Sequence, residues 1–260
     1  MPKYFTHESV HLLASLRKNN NREWYALNKN RLEDFIFAPA RQLVVDVGKI
    51  LRSQAEGLVA DPRVDRSIYR LHRDTRFSND KKPYKEHLGL IWWQDFPEGK
   101  LASPCFYFQL MPDGFMWSVG CYRFTPATLL AFRRTILDPE YGRTFKLIAS
   151  GARRRDLQFN PPDLKRLPAG FTGPDWALEW LKRKSVYTWS GVYPNADNTI
   201  LGPQAARYLA KMFLDGMPVY LWLVKLFDTA RALEPGNQET RFNRAAGPRA
   251  KKIALHEDDF

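Results

Sequence analysis

The spacing of apolar residues changes period along this chain, and that change confines it to folds that mix helices with a sheet. Leu12, Leu13 and Leu16, then Val44, Val47, Ile50 and Leu51, recur at three- and four-residue intervals, the pattern of helices that bury one stripe. From Ser67 onward the period shortens, and 68–71, 86–93, 105–111 and 115–122 read as strands. Short links between them favour antiparallel pairing. The expected fold class is α+β: an antiparallel sheet covered by helices, with a helical N-terminal segment over about residues 5–55.

Local signals place the boundaries. Thr6 has N-cap chemistry, Phe5 and Val10 are spaced as a hydrophobic staple, and Glu8 sits in the first turn. A second helix is expected over 22–37 and a third from Pro39. Thr125-Pro126 and Asp138-Pro139 are cap-plus-proline starts. Residues 151–174 are rich in loop formers; a short helix is expected over 175–182, a strand over 185–192, and two final helices over 203–214 and 218–233, separated by Pro218. Residues 1–234 are expected to form one domain. The tail from Pro235 is polar, basic and then acidic, and is expected to be mobile.

Asp113-Gly114 suits a two-residue hairpin loop. That loop would set Phe106, Phe108 and Leu110 opposite Cys121, Val119 and Trp117 as one apolar face, and Gln109 beside Ser118. Cys105 and Cys121 would then point to opposite faces, whereas a three-residue loop would pair them directly. Two free thiols fit a reducing compartment. The opening residues lack the apolar core of a signal peptide, and no apolar run approaches the roughly 18 residues of a membrane span. The expectation is a cytoplasmic protein without membrane partners.

With 260 residues the chain can bury roughly three quarters of its unfolded surface, and eight Trp and seventeen Phe require that interior. Forty Lys and Arg against 28 Asp and Glu give a net charge of +12, which favours anionic partners such as phosphorylated molecules or nucleic acid.

The densest chemistry lies in Arg73-Asp74-Thr75-Arg76-Phe77-Ser78-Asn79-Asp80-Lys81-Lys82-Pro83-Tyr84-Lys85-Glu86-His87. Ser78-Asn79-Asp80 is turn chemistry, and Pro83 pushes Lys82 towards an extended backbone. If 81–85 is extended, Lys81 and Lys85 share a side about 13 Å apart, and Arg73 and Arg76 can converge on it from before the turn. Two guanidinium forks and ammonium groups suit a phosphate or carboxylate, and Phe77 and Tyr84 can stack a base or wall the pocket. The expected ligand-binding set is Arg73, Arg76, Lys81, Lys82, Tyr84 and Lys85. Competing with that site is an ion-pair lattice, in which Asp74, Asp80 and Glu86 neutralise the cations and pin the loop to the sheet. In an enzyme, Asp74, Asp80 or His87 would move protons or hold a divalent ion; His72 also titrates near neutrality. Neither a Ser-His-Asp order nor a phosphate-cradling glycine loop accompanies them.

This segment resembles the signature of a widespread, mostly bacterial family of conserved hypothetical proteins classed as a domain of unknown function. Asn19-Asn20-Asn21-Arg22-Glu23-Trp24-Tyr25 is similar to the family's opening pattern, and Leu164 to Phe171, with Pro168 and Gly170, to its late Pro-x-Gly-Phe element. The resemblance spans most of residues 4 to about 230. It implies a single α+β domain and brings no activity or cofactor with it.

His7-Glu8-Ser9-Val10-His11 matches H-E-x-x-H, two histidines one helical turn apart that can bind zinc, with Glu33 as a third ligand. Capping already accounts for Thr6 and Glu8, and the family resembled has no such pattern there, so a chance match is the expectation. The clusters Arg153-Arg154-Arg155, Lys165-Arg166 and Lys182-Arg183-Lys184 are expected to be solvated, or to extend a nucleic-acid track if they share a face with the signature. The expected function is thus anion recognition, of a phosphate-bearing ligand or nucleic acid, by residues 73–87. The alternatives are a metal- or acid/base-dependent hydrolase and a structural or interaction domain.

Overall fold

A computed structural model describes residues 2–76, 78–195 and 199–232. Its centre is an antiparallel sheet built from β1 (Leu58–Val59), β2 (Leu88–Gln94), β3 (Cys105–Met111), β4 (Gly114–Cys121), β5 (Gln158–Phe159), β6 (Val186–Trp189) and β7 (Tyr193–Pro194). The strand order is β1-β2-β3-β4-β6-β5, with β7 beside the start of β4. The expected α+β class holds. The segment before β2 joins the sheet through an isolated bridge between Ile68 and Leu90, with Tyr69 N–H donating to Gly89 O at 3.0 Å and Ile91 N–H to Ser67 O at 2.8 Å. The two-residue strands β1 and β5 are too short to show a period.

The β3–β4 hairpin preserves the expected faces but not the expected register. Met111 pairs with Gly114, so the turn is Pro112-Asp113, and Phe106, Phe108 and Leu110 oppose Val119, Trp117 and Phe115. Gln109 accordingly meets Met116, and Ser118 meets Tyr107. The pairing is offset by two residues, which leaves every side chain on its own side. Cys121 faces the main core and Cys105 the opposite side. Gly114 is required within the strand: a Cβ there would stand 2.3 Å from the Tyr193 carbonyl oxygen of β7.

The helices are α1 (His7–Lys18), α2 (Arg22–Leu27), α3 (Lys29–Leu32), α4 (Ala38–Leu51), α5 (Pro126–Leu137), α6 (Pro139–Arg153), α7 (Asp175–Leu181) and α8 (Ala205–Ala232). Asp138 caps α6, accepting from the Glu140 and Tyr141 amides at 2.9 Å. At the start of α1, the Ser9 hydroxyl accepts from Thr6 N–H at 3.0 Å and donates to Phe35 O at 2.6 Å. The helix expected over 22–37 is instead α2, α3 and a π-helical turn, Glu33–Phe37, that runs into α4. The wider turn ends where Pro39, which has no N–H to donate, enters the first turn of α4.

A second departure is α8, which continues through Pro218 where a break was expected. An interior proline costs a helix about 3 kcal/mol. Burial of Phe213 and Met217 before it, and of Tyr220, Leu223, Leu226 and Phe227 after it, is worth about 1.5–3 kcal/mol for each aliphatic or phenyl side chain and outweighs that cost. The helix lies under the sheet, and Gly216 lets it approach: a Cβ there would meet Val119 Cγ1 at 2.7 Å.

One apolar cluster takes in the N-terminal helices, the inner face of the sheet and α8, from Tyr4 to Ala230. The outer face carries a smaller cluster, Tyr69, Ile91, Trp93, Cys105 and Tyr107, with Val59 and Leu101 packed against it. No helix among the described residues is long and apolar enough to cross a membrane. Phe77 and the tail from Pro235 lie outside the described residues.

Candidate functional site

The signature divides between a self-neutralised loop and the outer face of the sheet. A bridge between His72 and Tyr84 closes the loop, with Arg73 N–H donating to Pro83 O at 2.9 Å and Lys85 N–H to Leu71 O at 2.7 Å. Within it, Arg73 Nη1 donates to Asp80 Oδ2 at 2.7 Å and to Lys82 O at 3.3 Å. Asp80 Oδ1 accepts from Lys82 N–H at 3.0 Å. That amide, and then the Arg73 guanidinium, hold Asp80 below the usual carboxylate range. Arg76 donates from Nε to both oxygens of Asp74 at 2.9 and 3.1 Å. Lys81 Nζ donates to Thr75 O at 3.0 Å, and Lys82 Nζ to Glu86 Oε1 at 2.7 Å. Glu86 also meets Arg17 at 3.1 Å, and Arg17 meets Asp113 at 2.7 Å. Arg73, Arg76, Lys81 and Lys82 are each engaged within the loop or at its base. Exposed pairs of this kind are screened by solvent and contribute little each, so the lattice shapes the loop more than it stabilises the fold.

Tyr84 turns inward and anchors the loop to the N-terminal helices. The Asn20 carboxamide spans its backbone, donating to Tyr84 O at 2.9 Å and accepting from Tyr84 N–H at 3.0 Å. The Tyr84 ring stacks on Tyr25 at 4.2 Å between centroids with an interplanar angle of 2°, and His72 meets both rings edge-on. Of the neighbouring asparagines, Asn19 donates to Ser15 O at the end of α1, and Asn21 caps α2 by accepting from Trp24 N–H at 2.9 Å. Burial, then Arg70 and Arg22, lower the pKa of His72. The folded chain therefore favours neutral imidazole: the contribution of His72 to stability is complete above the unfolded value of about 6.5 and is lost as pH falls through the lower folded value. An NMR titration of the His72 ring should give a midpoint below 6.5; a midpoint at or above it would contradict this packing.

Lys85 takes the other direction. Alternation along β2 sends Leu88, Leu90 and Trp92 to the main core and Ile91 and Trp93 to the outer face, and Lys85 reaches the outer-face residue Tyr69. Lys85 is 5% exposed, and its ammonium lies 5.3 Å from the centroid of the Tyr69 ring. Lys100, from the turn Lys100–Ala102, reaches the same ring at 4.4 Å while donating to Asp65 O at 2.9 Å. Gly89 makes room beneath, since a Cβ there would stand 2.7 Å from the Tyr107 hydroxyl, which donates to Gln109 Oε1 at 2.9 Å. Across the sheet the face continues through half-buried Tyr122, Tyr187 and Trp189, with 5.6 Å between the Tyr122 and Tyr187 centroids and 6.1 Å between those of Tyr187 and Trp189. Arg66 lies over Trp93 at 5.4 Å. Burial pushes the Cys105 thiol up to about 12, which leaves no thiolate nucleophile there near neutrality.

Sequence reasoning missed Lys100, Tyr69 and the Tyr122, Tyr187 and Trp189 row. Strand alternation opposite Phe106 and Phe108 was the available signal for the face; nothing local marks Lys100.

The other motifs are scattered. His7 and His11 are exposed on α1, Glu8 pairs with Arg31, and Glu33 pairs with Arg41. Among the described residues no three His, Cys, Asp or Glu side chains stand together as metal ligands. Of the basic clusters, Arg183 departs from the expectation of solvation, being buried at 6% exposure.

A model of a family described as conserved hypothetical proteins, DUF2461, matches residues 8–222. The chain belongs to the DUF2461 family. The match takes in Asn20 and Tyr25 as well as Tyr84 and Lys85, so the DUF2461 region contains both sides of the Asn20–Tyr84 clamp and the outer-face lysine. No curated protein matches the chain.

Proposed function

We propose that the protein binds a phosphate-bearing ligand with a stackable ring, a nucleotide or single-stranded nucleic acid, on the outer face of its sheet. The observation that carries this reading is the placement of two ammonium groups, Lys85 and Lys100, over the Tyr69 ring, at one end of a face whose other end is Tyr122, Tyr187 and Trp189. Cations beside a row of rings are what single strands and nucleotides use: charge for phosphate, and about 1–3 kcal/mol of stacking per base. The net charge of +12 adds long-range attraction. Within the signature the roles divide, with Arg73, Arg76, Lys81 and Lys82 as frame and the buried Lys85 as positive charge held beneath the face, on which the more exposed Lys100 meets the ligand. Asp74 and Asp80 face arginines.

The test is a fluorescence titration with a mononucleotide and a short oligonucleotide at several salt concentrations. Affinity should fall as salt rises, Lys100→Gln should lower the slope of log affinity against log salt by about one, and Trp189→Leu should remove a stacking contribution without changing that slope. Absence of binding at low salt, or binding insensitive both to salt and to Lys100→Gln, would rule the reading out.

A further inference from the structure

We infer a second, separate oxyanion site at the opposite edge of the sheet, where Arg153 at the end of α6 and Arg183 after α7 share the ring of Trp180 and open into one cleft suited to a phosphate monoester or inorganic phosphate. The Arg183 guanidinium carbon lies 4.3 Å from the Trp180 centroid and that of Arg153 lies 5.5 Å from it, so the two are within about 10 Å of each other, the sum of those distances. Arg153 also stands over Phe159 at 5.9 Å. The cleft, of about 400 Å³, is lined by Arg153, Asp156, Leu157, Gln158, Phe159 and Arg183.

Three features separate this pair from the ion-paired arginines of the signature. Arg183 is a buried cation: Nε donates to Asn160 O at 2.8 Å and Nη1 to Glu179 O at 2.7 Å, and among the described residues Nη2 has no hydrogen bond. Arg153 has no ion pair among the described residues. Among the described residues no carboxylate bridges the two; Glu179 pairs with Lys182 at 3.2 Å, and Asp163 accepts from Lys184 N–H at 2.7 Å. Burial is the main influence disfavouring the charge on Arg183, with Glu179 and Asp163 partly offsetting it and Arg153 adding to it, although a guanidinium keeps its proton. The buried Arg183 carries a desolvation cost and both cations repel one another, which a divalent tetrahedral anion accepting from both would relieve. Gln158 supplies a further donor. Asp156, in left-handed backbone at φ 58°, is the one carboxylate on the wall and opposes the anion.

Arginine modification by phenylglyoxal, read peptide by peptide in the full chain by mass spectrometry, tests the site. Inorganic phosphate at ten times its dissociation constant should slow modification of Arg153 and Arg183 about tenfold and leave the exposed Arg63 unchanged, with chloride at equal ionic strength as reference. Arg153→Gln, at an exposed position, should abolish protection of Arg183, and Asp156→Asn should extend protection to lower phosphate. Lys100→Gln should leave it intact, which keeps this site distinct from the outer face. Lack of protection, equal protection of Arg63, or protection of Arg183 that survives Arg153→Gln would overturn the assignment.

Discussion

Replacing Phe213 with alanine should destabilise the protein by about 3–5 kcal/mol, the range for deleting a fully buried aromatic ring. Phe213 is fully buried in α8, and its centroid lies 5.3 Å from Trp92, 5.0 Å from Phe106 and 6.0 Å from Trp117. Rings from β2, β3 and β4 thus converge on one helix residue, and no single neighbour can move into the void without leaving another. Denaturant unfolding measures the effect as a lowered midpoint with an unchanged slope. A loss below about 1 kcal/mol would mean that the helix–sheet packing described here is wrong.

Tyr84→Ala should cost about 3 kcal/mol, the largest effect available within the signature. Tyr84 is 4% exposed, and its stack on Tyr25 adds about 0.5–1.5 kcal/mol beyond area burial. Tyr84→Phe keeps the ring and should change stability by well under half as much. Arg76→Ala, at an exposed residue, should shift stability far less than Tyr84→Ala. Limited proteolysis gives a second measurement: cleavage between α1 and α2 should accelerate in Tyr84→Ala and not in Arg76→Ala. If Arg76→Ala were the more damaging change, the loop's charges and not its aromatic anchor would hold the N-terminal helices.

The legible part of this fold was whatever repeats within a few residues. The α6 start at Asp138-Pro139, the faces of β3 and β4, and the helical character of 7–51 all follow from local period and capping chemistry. The hairpin register did not, because Gly114 answers to the approach of β7, which lies some eighty positions away in the chain. Pro218 misled for the same reason: its local cost is decided by tertiary burial on both sides. In the site, the density of charge at 73–87 marked an ordered loop, yet charge density does not reveal which carboxylate each cation will meet. The division between Lys85 and the other cations becomes readable only once β2 is anchored. Lys100 and the meeting of Arg153 with Arg183 depend on chain crossings with no local trace.

The Asn20 carboxamide offers Tyr84 one donor and one acceptor, the same pair that a neighbouring peptide group would present. A short stretch of backbone that could otherwise template pairing between molecules is therefore blunted by a single side chain. Loss of that side chain would leave the Tyr84 N–H and C=O without the partner that now ties the loop to the turn between α1 and α2.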